Sequence, residues 1–193
     1  MNTKGYVYTH RNSLIHENRT YRIGDDALSW QDDNKSGERL LYSDIHSVEA
    51  QFAPSRVQSN RYLMRLRTRN NGKIDITNTT YKGIGDFEEL NESYVPFVSE
   101  LHRKIAEMNP AAAFKQGSSW AGYLVAIVVT IALVLVIIGA GVFFLTAGMV
   151  WVAAIKLAIL IFFFPRLLRY VKRNKPGSYD PLKLPADILP DVA

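Results

Sequence analysis

The chain contains no cysteine among its 193 residues. Disulfide bonds, thiolate zinc sites and cysteine nucleophiles are therefore excluded, and a reducing compartment is compatible with this composition. The N-terminal stretch MNTKGYVYTHRNSLIHENRTYRIG holds no apolar run as long as the roughly seven residues of a signal-peptide core, so no secretory signal is expected there. Acidic residues are missing from the whole stretch between Glu107 and Asp180. That stretch therefore has no carboxylate of its own.

Recognisable catalytic motifs are also missing. No GxSxG, HExxH, P-loop or dinucleotide-binding fingerprint occurs in the sequence. The histidines lie too far apart or in the wrong pattern for a metal site: His10, His16, His46 and His102. We therefore expect no enzyme activity, no cofactor, no metal and no small-molecule substrate. Residues 1–117 carry 16 Lys and Arg against 15 Asp and Glu, a net of +1, which argues against nucleic-acid binding.

Long apolar runs are concentrated in one part of the chain. Trp120 to Leu145 gives 26 residues with no charge. As a helix this run is about 39 Å long, against about 30 Å for the hydrocarbon core of a bilayer. Thr146 to Gly148 is the expected turn, and a second apolar segment follows. The pattern predicts transmembrane helices at 120–145 and 149–170, although a re-entrant hairpin or a buried helical hairpin has the same composition.

Basic residues flank this block on both sides and are absent from its turn. Arg103, Lys104 and Lys115 precede it, and the following side has a cluster that consists of Arg166, Arg169, Lys172, Arg173 and Lys175. Loops rich in Lys and Arg stay in the cytoplasm. The sequence therefore predicts a multi-pass membrane protein with both termini cytoplasmic.

Lys156 is the one charge in residues 120–165. A lysine near the centre of a bilayer costs about 2.5–3.5 kcal/mol on insertion scales. Three outcomes are open: the side chain extends to the lipid phosphates, it pairs with an acidic residue of another subunit or copy, or it lies on a substrate or proton path. Lys156 is thus a candidate intramembrane contact.

The N-terminal part shows the period-2 alternation of short strands. One hairpin is expected around the turn Gly24–Asp26, with Tyr21 and Ile23 before it and Leu28 and Trp30 after it. The following extended region places four apolar residues in the expected core: Leu41, Ile45, Val48 and Phe52.

A second hairpin is predicted by RYLMRLRTRNNGKIDITN, residues 61–78. A three-residue loop, Asn70 to Gly72, keeps apolar residues on one face and pairs Arg69 with Lys73 and Arg67 with Asp75. Gly72 is then expected in the left-handed conformation that such loops need. The charged face is either a solvated outer surface or a site for lipid headgroups or an acidic partner. Its candidate binding residues are Arg65, Arg67, Arg69 and Lys73.

An amphipathic helix follows in SYVPFVSELHRKIAEMNP, residues 93–110. Its apolar residues recur at helical spacing: Phe97, Val98, Leu101, Ile105 and Met108. Pro110 is expected to end the helix, and 110–119 reads as a linker to the membrane.

The order of several short strands and one C-terminal amphipathic helix resembles the bacterial pleckstrin-homology-like (PH-like) domains that are fused to membrane helices. The stretches that carry the resemblance are YRIGDDALSW, LLYSDIHSVEA, YLMRLRTRNNGKIDI and YVPFVSELHRKIAEM. It implies an α+β fold with a strongly bent sheet or partly open barrel that is capped by the helix. In that reading 1–13 is an N-terminal segment and 14–109 is the PH-like cytoplasmic domain.

The resemblance also implies a binding or scaffolding role in the bacterial inner membrane. Phosphoinositide-binding members have basic residues in the first hairpin loop, whereas the loop Gly24–Asp26 is acidic. We therefore expect a non-enzymatic membrane-anchored scaffold whose partners are membrane lipids, another protein or a second copy of the chain. The alternative is a small accessory subunit of a larger membrane complex, such as a transporter, with Lys156 and the tail in subunit contacts.

The C-terminal tail, 171–193, contains prolines that exclude a regular helix, at positions 176, 181, 185 and 190. Its leucines and Ile188 make it less polar than a disordered tail. It is either frayed or docked in extended form on its own domain or on a partner.

Overall fold

The structure is a computed structural model and describes residues 6–191. The chain forms two compact units. The first contains residues 6–117 together with 177–191, and the second contains 118–176. The chain therefore leaves the first unit once and returns to it.

The first unit is a mixed α+β structure with several sheets. Its strands are β1 (Val7–His10), β2 (Arg19–Ile23), β3 (Ala27–Asp32), β4 (Glu38–Leu41), β5 (Ile45–Phe52), β6 (Tyr62–Thr68), β7 (Lys73–Thr77), β8 (Thr79–Gly83), β9 (Asp86–Glu89), β10 (Ala113–Gln116) and β11 (Gly177–Ser178). Helix α1 spans Asn91–Met108. The described strands form three sheets, in the orders β1-β2-β3-β4, β11-β10-β5-β6-β7 and β8-β9, and do not close a barrel.

The core lies between the two larger sheets and α1. Its fully buried side chains include Tyr8, Tyr21, Met64, Phe97 and Leu101. The ring of Tyr8 stacks on that of Phe97 with 5.2 Å between centroids. Burial of each large apolar side chain contributes about 1.5–3 kcal/mol, which is why the alternating strands and the apolar face of α1 pack together.

The first sheet begins earlier in the chain than the predicted boundary at residue 14. Strand β1 pairs antiparallel with β2, with Tyr8 opposite Tyr21 and His10 opposite Arg19. Tyr8 and His10 are buried while Val7 is exposed, so the alternation of a half-buried strand starts at residue 7. Gly24–Asp26 is consequently the loop of the second hairpin. The first hairpin loop is Arg11–Asn18 (the β1–β2 loop).

Two further expectations change in the first unit. Leu41 was expected in the core, but it is exposed, and its neighbours Leu40 and Tyr42 are buried instead. The stretch 110–119 was expected to be a linker, but it contains β10, which pairs parallel with β5. Parallel strands need a long crossover connection, and α1 is part of the connection that leads from β5 to β10.

The tail packs on the first unit. Ser178 in β11 pairs with Lys115 in β10, and Tyr179 donates its backbone N–H to the carbonyl of Phe114 at 3.3 Å. Ile188 is buried, with only 2% of its surface exposed. Of the two interpretations of the tail, docking in extended form on its own domain is therefore the observed one.

The second unit is a helical hairpin of α2 (Trp120–Thr146) and α3 (Val150–Arg173). The side chain of Ser119 caps α2 by accepting a hydrogen bond from the N–H of Gly122 at 3.2 Å. Gly148 has φ +76° in the connecting turn, a conformation that suits glycine. Both helices are long and apolar enough to cross a membrane.

Candidate functional site

Two of the arginines in the predicted binding face are held in ion pairs. Arg65 donates two hydrogen bonds to the carboxylate of Asp75, at 2.6 and 2.8 Å. Arg67 donates to Glu49 at 2.7 Å. A paired guanidinium is less available to an external anion. The charge of this face is therefore partly neutralised within the sheet.

The pairing register of this hairpin differs from the predicted one by two residues. Arg65 lies opposite Asp75, and Arg67 lies opposite Lys73. Arg69 leaves the ladder because its N–H donates to the carbonyl of Asp44 at 3.1 Å. A shift of two residues keeps every side chain on its own face, so the hydrophobic pattern does not distinguish the two registers.

The backbone conformation of this hairpin's loop differs from the predicted one. Asn71, and not Gly72, has the left-handed conformation, with φ 59°. Gly72 donates its N–H to Oγ1 of Thr68 at 2.9 Å, and a Cβ at Gly72 would lie only 2.7 Å from that oxygen. Glycine is required at position 72 by this close approach and not by its backbone angle.

Lys73 also lines a polar cavity of about 330 Å³ in the first unit. The cavity lies between the β1–β2 loop, the end of β3 and the start of β7. Its charged and titratable lining consists of His10, His16, Glu17, Arg19, Asp32, Lys35, Lys73 and Asp75. We call it the His10 cavity. It brings together residues that are more than 60 positions apart in the chain.

His10 is a buried histidine without a protein partner. Its side chain is 2% exposed, and neither ring nitrogen hydrogen-bonds to another described protein atom. The ring stacks on Tyr21 with 5.6 Å between centroids. Burial, assisted by the charges of Arg19 and Arg61, lowers the pKa of His10 to about 4. The neutral ring offers one N–H donor and one acceptor, and buried polar groups normally have partners. His10 therefore offers one donor and one acceptor that an ordered water or a polar ligand would satisfy.

The three carboxylates of the His10 cavity all accept hydrogen bonds. Glu17 accepts from Nδ2 and the backbone N–H of Asn34, at 2.9 and 3.2 Å, and these bonds lower its pKa without neutralising its charge. Asp32 accepts two hydrogen bonds from Arg19, at 2.5 and 2.9 Å, and these lower its pKa. Burial is the largest single influence on Asp75 and raises its pKa, but the hydrogen bonds from Arg65 together with the charges of Arg65, Lys73 and Arg61 outweigh it, and the pKa is lowered. All three acids are therefore ionised near pH 7, and Asp32 and Asp75 are paired with an arginine.

The cations of the rim are less fully paired. Lys35 is 3.6 Å from Asp32, which already binds Arg19. Lys73 has no ion pair among residues 6–191. Lys35 and Lys73 outnumber Glu17, the one lining carboxylate that has no arginine partner among the described residues, so the rim has a small positive excess that favours an anionic group.

An apolar side chain lies beside this cationic rim. Ile15 lines the His10 cavity and is 88% exposed, and its neighbour Leu14 is also exposed. Both belong to the β1–β2 loop, which Arg11 stabilises by donating to the carbonyls of Leu14 and His16 at 2.7 and 2.6 Å. A cationic rim next to exposed apolar residues is suited to a ligand that is both anionic and apolar.

The sequence indicated only part of this site. Lys73 was among the candidate residues, while His10, Lys35 and the β1–β2 loop were not. The alternation of buried Tyr8 and His10 in VYTH was the signal available for β1. It was missed because a four-residue strand gives too short a pattern to stand out.

Lys156 lies on α3 in the second unit, and its side chain is half-buried. No described acidic residue pairs with it. Gly139 and Gly141 lie in the last third of α2. A Cβ at either position would meet nothing within 4 Å, so neither glycine is required by a close helix approach within the hairpin.

Comparisons with known proteins give little additional information. No family model matches the chain, and no curated protein matches it. Among solved structures, the chain is similar to one in the Spt16D Pob3N heterodimer, at 14% identity and a TM-score of 0.34. The match covers 60% of this chain and 54% of that chain, so this chain spans about half its length. The function is therefore argued from the residues described above.

Proposed function

We propose that the chain is a membrane-anchored binding protein. In this proposal α2 and α3 cross the membrane as a hairpin, and the first unit lies on one side. The observation that carries the proposal is the pairing of β11 with β10, because it places residues on both sides of the helices in one folded unit. Because the residues before and after the helices belong to the same unit, the segment between them must cross the membrane an even number of times.

The surface of the two helices supports this arrangement. Their exposed side chains are mainly Leu, Val, Ile and Phe, and only Ala153 is buried. So large an apolar surface is unstable in water, since about 25 cal/mol is gained for each Å² that is removed from it. Insertion into lipid removes that surface from water without any partner protein.

The basic residues that flank the two helices indicate how the hairpin is oriented in the membrane. Arg166, Arg169 and Lys172 follow the hydrophobic part of α3, whereas the turn between the helices has no basic residue. We therefore assign the first unit and both termini to the cytoplasmic face of a bacterial inner membrane.

The strand order supports a PH-like interpretation of the first unit. Four sequential antiparallel strands, β1 to β4, form one sheet, and β5 to β7 form a second meander. Helix α1 follows and packs its apolar face on the core. The parallel strand β10 and the docked β11 are additions to the order that the resemblance implies. We propose that binding, rather than catalysis, is the role of this unit.

The ligand that fits the His10 cavity is an anionic headgroup at the membrane surface. Lys35 and Lys73 supply positive charge at the rim, His10 supplies a neutral hydrogen-bonding group at the base, and Ile15 supplies apolar contact. Each lysine near an anionic surface contributes on the order of 1 kcal/mol of attraction. The connections to the helices are short, so the unit stays within reach of the bilayer.

The test uses the full chain in lipid nanodiscs. Hydrogen exchange of the β1–β2 loop is compared in zwitterionic discs and in discs that contain an anionic phospholipid. We expect slower exchange in the anionic discs, and we expect Lys35→Gln with Lys73→Gln to remove the difference. Arg56→Gln is the matched control, because Arg56 is equally exposed but lies outside the cavity.

Two outcomes of this experiment would contradict the headgroup assignment. One is equal exchange in the two lipid compositions. The other is an effect that the double lysine variant retains. Slower exchange that appears only on addition of an acidic protein segment would instead assign the cavity to a protein partner.

A second candidate function is an accessory subunit of a larger membrane complex. The specific observation in its favour is the half-buried position of Lys156 on the helical hairpin. Extraction in a mild detergent, followed by mass analysis of the intact particle, separates the two candidates. A stoichiometric partner supports the subunit, and a lone monomer supports the independent binding protein.

A further inference from the structure

The side of α3 that faces away from α2 carries two arginines, Arg166 and Arg169. Ala153 is buried and Leu160 and Leu167 are half-buried, whereas both arginines are exposed. With about 3.6 residues per turn, the three shielded residues share one helix face and the arginines lie on the other side. Among the described residues α2 is the other helix of this unit, so the shielded face packs against it. In the proposed membrane arrangement the two arginines therefore face lipid.

The same side of α3 has an open apolar concavity of about 730 Å³. All of its lining residues belong to α3: Ala158, Ile161, Phe162, Pro165, Arg166 and Arg169. Ala158 and Pro165 are small beside Ile161 and Phe162, so they leave space between the larger side chains. Because both arginines line the concavity, it joins an apolar surface to two positive charges.

The guanidinium group of Arg166 is held over the apolar part of this concavity. Its Nη1 donates to the carbonyl of Phe162 at 3.1 Å, and the group lies 4.1 Å from the centroid of the Phe162 ring. A guanidinium group has several N–H donors, and one of them makes this bond. Arg166 has no ion pair among residues 6–191. It is therefore oriented by the helix and keeps donors for an external acceptor.

The depth of the two arginines matches the phosphate layer of a bilayer. Their Cα atoms are about 24 and 28 Å along the helix from Val150, at about 1.5 Å for each residue. The hydrocarbon core is about 30 Å thick, so both residues lie near its end and their long side chains reach the phosphates. No Asp or Glu lies between Glu107 and Asp180, so the second unit has no carboxylate that would bind the arginines instead.

We propose that this concavity binds one anionic phospholipid. Its phosphate accepts hydrogen bonds from Arg166 and Arg169, and one acyl chain lies along Ala158, Ile161 and Phe162. Arginine suits this role because its planar fork matches the oxygens of a phosphate. A zwitterionic headgroup fits less well, since its ammonium group would be repelled by the two arginines. The inference rests on the proposed insertion of the hairpin and describes a lipid site separate from the His10 cavity.

The test is a lipid titration of the full chain in detergent micelles, followed by native mass spectrometry. One series receives phosphatidylglycerol, which is anionic, and the other receives phosphatidylcholine, which is zwitterionic. We expect an adduct of one phosphatidylglycerol per chain, at a lipid concentration about tenfold lower than phosphatidylcholine needs, as for one charge-assisted contact.

Three variants connect the adduct to the concavity. Arg166→Gln combined with Arg169→Gln should remove the preference for phosphatidylglycerol. Arg166→Lys keeps the charge but loses the planar fork, and it should weaken the preference. Lys172→Gln is the matched control, because it removes one exposed positive charge of the same helix outside the concavity, and it should leave the preference unchanged.

Several outcomes would overturn the inference. They are equal binding of the two lipids, a preference that survives the double arginine substitution, and an equal loss in Lys172→Gln. A preference that disappears in Lys35→Gln with Lys73→Gln instead would assign the lipid to the His10 cavity.

Alkaline carbonate extraction of native membranes separates this inference from the proposed function. Release of the chain by carbonate would show that the insertion of the hairpin is wrong, and the lipid site with it. Retention of the chain without a phosphatidylglycerol preference would show that only the lipid site is wrong.

Discussion

Tyr179 donates its hydroxyl hydrogen to Nε2 of His102 at 2.7 Å and thereby connects the tail to α1. The direction follows from the other ring nitrogen. Nδ1 lies 2.7 Å from the carbonyl of Val98, which can only accept a hydrogen bond, so Nδ1 carries the proton. His102 is fully buried, and the ring of Phe114 packs beside both side chains. The tail is therefore a component of the folded unit.

Substitution of this tyrosine tests the connection. Tyr179→Phe keeps the ring contacts and leaves Nε2 of His102 buried without its donor. We expect a loss of about 1–3 kcal/mol in the free energy of unfolding. Chemical denaturation of the full chain in detergent micelles measures it. Tyr6→Phe is the control because Tyr6 is exposed, and equal effects of the two substitutions would contradict the assigned role of Tyr179.

The two buried histidines predict a loss of stability in acid. Burial lowers the pKa of His10 and that of His102 to about 4, against about 6.5 in the unfolded chain. Between these values the unfolded state binds more protons, so acidification favours unfolding. We expect the free energy of unfolding to fall by about 1.4 kcal/mol per pH unit and per histidine from pH 6.5 to pH 4.

Denaturation at several pH values measures this slope. His102→Gln removes one of the two titrating groups and should decrease the slope in this window. His46→Gln removes an exposed histidine and should leave the slope as it is. A stability that stays constant from pH 6.5 to pH 4 would contradict the buried, neutral state of both rings.

The arginines of the β6–β7 hairpin should differ in their contribution to stability. Arg65→Gln leaves the half-buried carboxylate of Asp75 without its two hydrogen bonds, which costs about 1–3 kcal/mol. Arg69→Gln changes an exposed side chain and should remain within about 0.5 kcal/mol of the parent. Urea titration of the two variants compares them. In the predicted register Arg65 would lie opposite Thr77 and Arg69 opposite Lys73. Neither arginine would then bind Asp75, and both effects would be small.

The first unit should fold without the apolar helices. Gln116 and Gly177 are paired neighbours in β10 and β11, so a Gly-Ser turn of about four residues can join 1–117 to 177–193. We expect the joined protein, which lacks the two apolar helices, to be soluble without detergent and to unfold cooperatively. Residues 1–117 alone lack Tyr179 and Ile188, and should be less stable. Insolubility of the joined protein would show that the helices are needed for the fold.

The hydrophobic pattern predicted which face of a strand a side chain occupies better than it predicted which residue lies opposite on the next strand. It placed Met64 and Leu66 on the buried face of β6, and the structure confirms both. It did not predict the register of β6 with β7, because a shift by two residues leaves all faces unchanged. Leu41 was placed in the core because consecutive leucines do not indicate which one points inward.

The site was harder to predict than the elements that carry it. Lys73 was identified as a candidate because it lies on the charged face of the predicted hairpin, with Arg65, Arg67 and Arg69. Its neighbours in the cavity, His10 and Lys35, come from other strands and loops. Only the packing of the first sheet against β7 brings these three residues together. The pairing of Arg65 and Arg67 with acids likewise depends on which strands are adjacent.

Local composition alone determined the two apolar helices. The 26 uncharged residues from Trp120 to Leu145, and the apolar run 149–164 that only Lys156 interrupts, have few stable alternatives to a helix in lipid. Local composition also determined that Lys156 has no carboxylate within its own hairpin. The tertiary structure decided that 113–116 is a strand, that β11 of the tail forms the edge strand of that sheet and that His10 lies in a cavity. These features depend on contacts between residues far apart in the chain, and such contacts leave no periodic signal in the sequence.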